Sequence, residues 1–284
     1  MTNLTDFSKS LADLAETAGP ALASLPFHGR TRSAFHWKDG FYVAAESAVE
    51  SDETVELTLA DGSTVNAEVA GRDPSSGIVL LKTGKTAASF TKAALVRPGN
   101  VVLVVGKSDT SLASFGSVNE AGPSWRSMRG GLIDRRLGLA VPVDGRFEGG
   151  PVVDAEGQLV GMMLFGPRRR VLVIPAETID RVAAVLREKG HVARGYLGAG
   201  LHPVRHASVQ GAMVMSLDES GPAQAAGIQL GDIVTAWNDE PVRGPRGLVE
   251  KLSPDSVGTE VTLTIRRGGA EQTVALTIGA RPVR

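Results

Sequence analysis

Leu4, Phe7, Leu11, Leu14 and Ala18 recur at alternating three- and four-residue spacing, and Gly19-Pro20 follows them. That spacing predicts an amphipathic helix with one apolar stripe, ended by the glycine-proline pair. The stripe has to be covered, either by the chain's own core or by a second subunit. From Ala21 to Ile174 the pattern changes. Val55-Glu56-Leu57-Thr58-Leu59 alternates in period two and runs into an Asp61-Gly62 turn. Ile78 to Leu81, Val101 to Val105, Leu159 to Leu164 and Val171 to Ile174 are short apolar runs separated by Gly, Pro, Asp or Ser. Short strands punctuated by turns predict an all-β barrel or sandwich. Ile179, Val182, Ala183, Val185 and Leu186 then predict a helix from Glu177 to Lys189, closed by Gly190. Past a boundary at His191 to Arg194, strands and helices alternate: Gly195 to Leu201, Gly211 to Ser216, a helix near Pro222 to Ala226, Ile233 to Trp237, a helix near Gly247 to Leu252, Glu260 to Arg266 and Gln272 to Ile278. This is the pattern of a small α+β module with its own core.

The chain has 284 residues, 42% of them hydrophobic and 21% charged, with a formal net charge of -1. Length and composition suit two domains of ordinary size and give no general pull toward nucleic acid or an anionic membrane. There is no cysteine, which excludes disulfides, thiolate metal sites and thiol nucleophiles. The first twenty residues contain Asp6, Asp13 and Glu16 and no continuous apolar run. The expectation is therefore a cytoplasmic protein without a signal peptide or membrane span. Arg126, Arg129, Arg135 and Arg136, with the Arg168-Arg169-Arg170 hairpin turn, read as a solvated face and not as a nucleic-acid site. No phosphate-binding loop follows a strand and no cluster has metal-ligand spacing, so neither cofactor nor metal is expected.

Gly145-Arg146-Phe147-Glu148-Gly149-Gly150-Pro151-Val152-Val153-Asp154 resembles the nucleophile loop of trypsin-like proteases. Asp39 to Val49 matches the strand that delivers the catalytic histidine, and Arg72 to Leu81 the segment that delivers the aspartate. With Leu11-Ala12-Asp13-Leu14 ahead and Ala226-Gly227-Ile228-Gln229-Leu230-Gly231-Asp232-Ile233-Val234 behind, the sequence from about Leu11 to Arg281 resembles the HtrA/Deg family. The resemblance implies an N-terminal helix (1–20), a trypsin-like double β-barrel (21–190) and a PDZ domain (194–284), mainly β overall.

By that resemblance the histidine position holds Ser47, or Glu46 if the alignment slides by one, the aspartate position Gly77 and the serine position Glu148. A triad needs a nucleophile with a removable proton, an imidazole to take it and a carboxylate to orient the imidazole. None of Ser47, Gly77 and Glu148 can fill the role that its own position calls for, and the expectation is a pseudoprotease, not an enzyme. The oxyanion donors would be the N–H groups of Glu148 and Arg146; a carboxylate about 4 Å from the oxyanion would oppose it by roughly 1–4 kcal/mol, and could fold back onto the donors. The five histidines, His28, His36, His191, His202 and His206, lie outside the segments the resemblance places at the cleft. The rival readings are a hydrolase using Glu148 or Glu46 with a water, and a structural subunit whose groove is blocked.

Arg194-Gly195-Tyr196-Leu197-Gly198 resembles the carboxylate-binding loop of HtrA-type PDZ domains. Small residues there let consecutive N–H groups converge on a peptide's terminal carboxylate. Ala199-Gly200-Leu201 would pair with the peptide as an added strand. Leu248 and Leu252 would form the other wall and, with Leu197, an apolar pocket for the last side chain. The resemblance thus implies partners that present C-termini, and a homo-oligomer, a trimer, or an active HtrA relative as neighbour.

Overall fold

The computed structural model describes residues 3–50, 53–206 and 209–282. Helix α1 is Leu4–Ala18, its first turn capped by Asn3, whose side chain accepts from the Asp6 N–H. Its stripe is used unevenly: Leu11, Leu14 and Ala15 pack on the core, whereas Leu4 is 82% exposed and Phe7 meets Phe115 edge-on.

Six strands then close a first barrel: β1 (Leu22–Phe27), β2 (Arg30–Lys38), β3 (Phe41–Ala45), β4 (Thr54–Leu59), β5 (Thr64–Asp73) and β6 (Ile78–Lys82), in the order β1-β2-β3-β6-β5-β4. Closure removes the sheet edges that short strands would otherwise expose. The barrel is filled by Leu25, Tyr42, Leu57, Val79 and Leu81, all nearly inaccessible. A second six-stranded barrel follows from β7 (Val101–Lys107) and β8 (Ser111–Gly122). The β9 (Trp125–Arg126) and β10 (Leu132–Ile133) ribbon interrupts before β11 (Arg136–Ala140), β12 (Pro151–Val153), β13 (Leu159–Phe165) and β14 (Val171–Pro175) complete it.

Phe35, Ile78, Leu103, Val105 and Met162 from both barrels form the seam between them, and α2 (Ala176–Lys189) seals it with Ile179, Val182 and Leu186. Each such buried aliphatic or aromatic side chain contributes about 1.5–3 kcal/mol. Gly190 ends α2 in the left-handed region, at φ 74, and its N–H closes on the Leu186 carbonyl.

The chain divides into two compact units: Met1–Ser127 with Leu132–Val192, and Met128–Gly131 with Ala193–Arg284. The second unit holds β15 (Gly195–Tyr196), β16 (Ala199–His206), β17 (Val209–Leu217), α3 (Pro222–Ala225), β18 (Ile233–Trp237), β19 (Glu240–Pro241), α4 (Pro245–Lys251), β20 (Glu260–Arg267), β21 (Ala270–Thr277) and β22 (Gly279–Ala280). Its main sheet runs β16-β17-β18-β20-β21, leaving β16 at an edge. Leu197, Val214, Val234, Leu248, Leu263 and Ile278 lie in its core. The fold is mainly β, with a double barrel followed by an α+β domain. Asp232 is buried and takes two hydrogen bonds from the Arg267 guanidinium, at 2.8 and 2.7 Å. Those bonds hold its carboxyl below the usual range and lock the turn that enters β18.

Candidate functional site

Two places carry chemistry: the loops at one crevice of the double barrel, and the edge of the second unit's sheet. In the barrels, β3 is buried throughout and ends in a tight turn, Glu46–Ala48, that leaves Ser47 exposed. The Glu46 N–H donates to the Gly77 carbonyl at 2.9 Å, so the segments holding Ser47 and Gly77 are joined by backbone. Glu46 Oε1 lies 3.6 Å from Arg72 Nη1, and that nitrogen also donates to the Val49 carbonyl. Gly77 sits at φ 76, and a Cβ placed on it would come within 2.9 Å of Leu164 Cδ1. A side chain at position 77 would therefore need the tip of Leu164 to shift, besides a left-handed backbone.

Glu148 follows a single helical turn, Gly145–Phe147, whose N-cap is Asp144. The Arg146 N–H donates to Asp144 Oδ1 at 2.8 Å, and the Glu148 N–H to the Gly145 carbonyl at 3.2 Å. Both expected oxyanion donors are thus spent inside their own loop, by Asp144 and Gly145 and not by a folded-back carboxylate. The Glu148 carboxylate instead faces Arg32: Oε2 lies 3.2 Å from Nε, with the two side chains only 16% and 15% exposed. Arg32 in turn lies over the Phe27 ring.

The loop is fixed from behind. Ser33 N–H donates to the Glu148 carbonyl, and Ser33 Oγ donates to the Arg146 carbonyl at 2.6 Å. Gly149 has φ 85, and a Cβ there would stand 2.3 Å from the Ser33 oxygen; only glycine fits. Asp144 also accepts from the Arg146 guanidinium, which holds its carboxyl below the usual range. Beside this loop a cleft of about 480 Å³ opens, walled by Arg30, Arg32, Asp144 and Arg146. Arg32 and Arg72 escape sequence reasoning because each faces a glutamate far away along the chain and carries no local mark.

His28 stacks edge-on against Phe27, the ring that Arg32 covers, and pairs with Glu50 at 2.9 Å. His36 is 3% exposed; its Nε2 accepts from the Gly40 N–H and its Nδ1 meets the Ala88 carbonyl and Ser89 Oγ. Burial pushes its pKa down. Among the described residues no group of three or more His, Asp or Glu is placed to hold a metal, and no helix is long and apolar enough to cross a membrane.

At the edge of the second unit, the loop joining β15 to β16 carries Leu197 and Gly198. The Leu197 carbonyl accepts from the Ala223 N–H at 2.8 Å, and the Gly198 carbonyl from the Asp218 N–H at 2.9 Å. In a trans peptide the N–H points opposite to the C=O. Fixing those carbonyls inward therefore turns the N–H groups of Gly198 and Ala199 outward together. Gly198 has φ 71, and a Cβ there would strike Gly221 at 2.6 Å. Tyr196 braces the loop by donating to Asp218. Leu201 is half-buried, Leu252 packs on the domain core and α4 lies along β16. Leu197 and Leu248 are 5% and 0% exposed, so they form the floor of the core and not an open pocket wall.

This is a trypsin-like peptidase fold followed by a PDZ domain. Residues 32–162 match the trypsin-like peptidase domain, a stretch that includes Ser47, Gly77 and Glu148. Residues 195–278 match the PDZ domain. A probable periplasmic serine endoprotease, DegP-like, of Brucella suis is 30% identical over 86% of this chain and 51% of its own. Its namesake from Rhizobium meliloti is 29% identical over 87% and 53%. Among solved structures, the HtrA-type protease AlgW with a decapeptide superposes with a TM-score of 0.75 at 20% identity, covering 96% of this chain and 99% of that one. The serine endoprotease from Yersinia pestis gives 0.74 at 21%, covering 96% and 98%. The chain belongs to the HtrA family. It spans about half the length of the curated relatives it matches.

Those relatives correct two expectations. The expectation of a non-enzyme gives way, because they are named serine endoproteases and the likeness to them runs through 86% of the chain. Three triad positions report only on one nucleophile and its base, not on the class to which a chain belongs. The expectation of a cytoplasmic protein gives way too, because the same relatives are named periplasmic. An acidic opening stretch describes that stretch alone.

Proposed function

We propose that this chain is a periplasmic, HtrA-type peptide-handling protein whose PDZ domain captures the C-terminal end of a polypeptide. One observation carries the reading: the carbonyls of Leu197 and Gly198 are both taken by N–H groups of the domain, which turns the Gly198 and Ala199 N–H groups away from those partners, beside an open sheet edge. Two successive main-chain donors suit a terminal carboxylate. The edge strand β16 supplies main-chain pairing, and Ala199, Leu201 and Leu252 supply apolar contact beside it, with Gly195 and Tyr196 holding the loop. Solved HtrA-type neighbours are described with a decapeptide and with a tripeptide, which supports a peptide as the ligand.

The test is fluorescence anisotropy on the full chain with an apolar-ended peptide, as free acid and as C-terminal amide. Charge-assisted hydrogen bonds of about 1.5–3 kcal/mol predict that amidation weakens binding by at least about 10-fold. Equal affinity for the two forms would remove the carboxylate from the account.

A second reading concerns the barrels and is favoured by the relatives' names: peptide hydrolysis in the crevice. The groups on hand are Glu148 and Glu46, each held by an arginine, with a carboxylate activating a water in place of a serine. Casein cleavage by the full chain, lost by about 100-fold in Glu148→Gln, would support this reading; cleavage that Glu148→Gln leaves intact would end Glu148's part in it.

A further inference from the structure

We infer that a cavity between β2 and α2, in the first unit, is a binding site for a small aromatic monocarboxylate. The site belongs to the double barrel alone and depends neither on the peptide groove nor on the crevice.

Its walls follow from residue spacing. Phe35 and Trp37 stand two apart on β2 and so share one face of the strand. Ala176, Ile179 and Asp180 stand three and four apart on α2 and share one face of the helix. The third wall is the segment 88–93, which is pinned at both ends. At one end the His36 ring accepts the Gly40 N–H on Nε2, so Nδ1 carries the proton and donates to the Ala88 carbonyl at 3.2 Å. At the other, the Leu159 N–H donates to the Thr91 carbonyl at 2.7 Å, and the Leu159 carbonyl accepts from the Ala93 N–H at 2.9 Å. Held this way, Phe90 stands edge-on to Phe35 with ring centroids 5.9 Å apart.

The space enclosed is about 240 Å³, roughly eight times the ~30 Å³ share of one water in the liquid. Phe35, Trp37 and Phe90 line it with Ile179. Aromatic rings favour a further ring placed edge-on or offset. Sites of this make-up hold an apolar body and orient it with a few polar groups.

Those polar groups are Lys38, Lys92 and Asp180, which also line the space. Asp180 Oδ1 is already taken, by Trp37 Nε1 at 2.8 Å and by Lys38 Nζ at 3.1 Å. Lys92 is exposed, and its backbone is fixed against Leu159. Among the described residues its side chain has no hydrogen-bonding or ionic partner. Two ammonium groups against one carboxylate leave one positive charge over, and that charge is Lys92's. A single carboxylate on a ring-sized body answers both the charge and the shape. An inorganic anion would leave the ring-lined space unfilled, and a neutral ring would leave Lys92 unpaired.

The test titrates 3-phenylpropanoate into the full chain labelled with nitrogen-15 and follows the indole N–H resonances. Trp37 lies in the cavity wall, and Trp125 and Trp237 lie outside it, so they serve as controls. The Trp37 signal, assigned by its loss in Trp37→Phe, is expected to move with half-saturation at about 1 mM or below. 3-Phenylpropanamide and acetate should each bind at least about 10-fold more weakly. Lys92→Gln, at an exposed position, should weaken the acid by about 10-fold, one charge-assisted hydrogen bond's worth, and leave the amide unchanged. A Trp37 signal unmoved by about 20 mM acid would overturn the site. Equal binding of acid and amide, or of the acid by wild type and Lys92→Gln, would overturn the pairing with Lys92. Acetate binding as tightly as the aromatic acid would reduce the site to an adventitious anion contact. An acetylated tripeptide ending in phenylalanine offers the same ring and carboxylate on a longer chain. If it moves Trp37 as readily as the free acid, the small-molecule assignment is overturned in favour of a chain end.

Discussion

Glu148 and Arg32 show how a few atoms set the character of the barrel crevice. The pair is largely withdrawn from solvent, where a charge left alone costs more than the pair is worth. Arg32→Ala should therefore lower the unfolding free energy by about 3 kcal/mol, read by urea denaturation, whereas replacing both residues together with Met should recover much of it. If the single and double variants unfold alike, the two side chains do not interact. Gly149 is constrained by geometry: a methyl group there has no room beside the Ser33 oxygen, and Gly149→Ala should cost about 4 kcal/mol or prevent folding. His36 gives the residue scale a pH signature. Its Nε2 accepts a hydrogen bond, so the buried ring is neutral, with a folded-state pKa below the ordinary histidine value. The unfolded chain then takes up the proton first. The stabilisation is present above about pH 6.5 and is lost as the pH falls below it. A melting-temperature profile from pH 7 to pH 5 should be flatter for His36→Gln than for the wild type. Parallel profiles would mean that this ring does not titrate on unfolding.

At the scale of elements, the strands with strong alternation or continuous apolar runs were legible in the sequence: β4, β6, β7, β13 and β14 fall where Val, Ile and Leu cluster. Strands β5 and β8 were not, because Thr64–Asp73 and Ser111–Gly122 mix Gly, Asn, Ser and Glu with few apolar residues. Their place is set by neighbours in a closed barrel, not by their own pattern. The same logic separates what was readable at the crevice from what was not. The positions Ser47, Gly77 and Glu148 come from local motifs. Arg32, Arg72 and Leu164, which decide what surrounds them, come from other strands and carry no local mark. Leu164 yields a prediction about the element that positions it. The combination Ser47→His, Gly77→Asp and Glu148→Ser places an aspartate against Leu164 Cδ1, in a left-handed backbone. Labelling by a serine-directed phosphonate should therefore rise by at least about 10-fold when Leu164→Ala is added to the three. Equal labelling with and without that fourth change would mean that Leu164 is no obstacle.

At the scale of the whole molecule the chain folds as two units: a double barrel whose crevice loops are tied by Ser33, Asp144, Arg32 and Arg72, and a PDZ domain whose main sheet ends in the edge strand β16. The helix stripe near the N-terminus, expected to dock on the chain's own core or on a second subunit, packs on the core over Leu11 to Ala18 and meets Phe115 through Phe7, leaving Leu4 exposed. The central claim is that the Gly198 and Ala199 amides hold a terminal carboxylate. Amide NMR of the full chain, labelled with nitrogen-15, reads those two groups one by one. Adding an apolar-ended peptide as its free acid should move the Gly198 and Ala199 proton resonances downfield, while the same peptide as its amide should leave them nearly in place. Binding of the acid with both resonances unmoved, or equal shifts from acid and amide, would contradict the account.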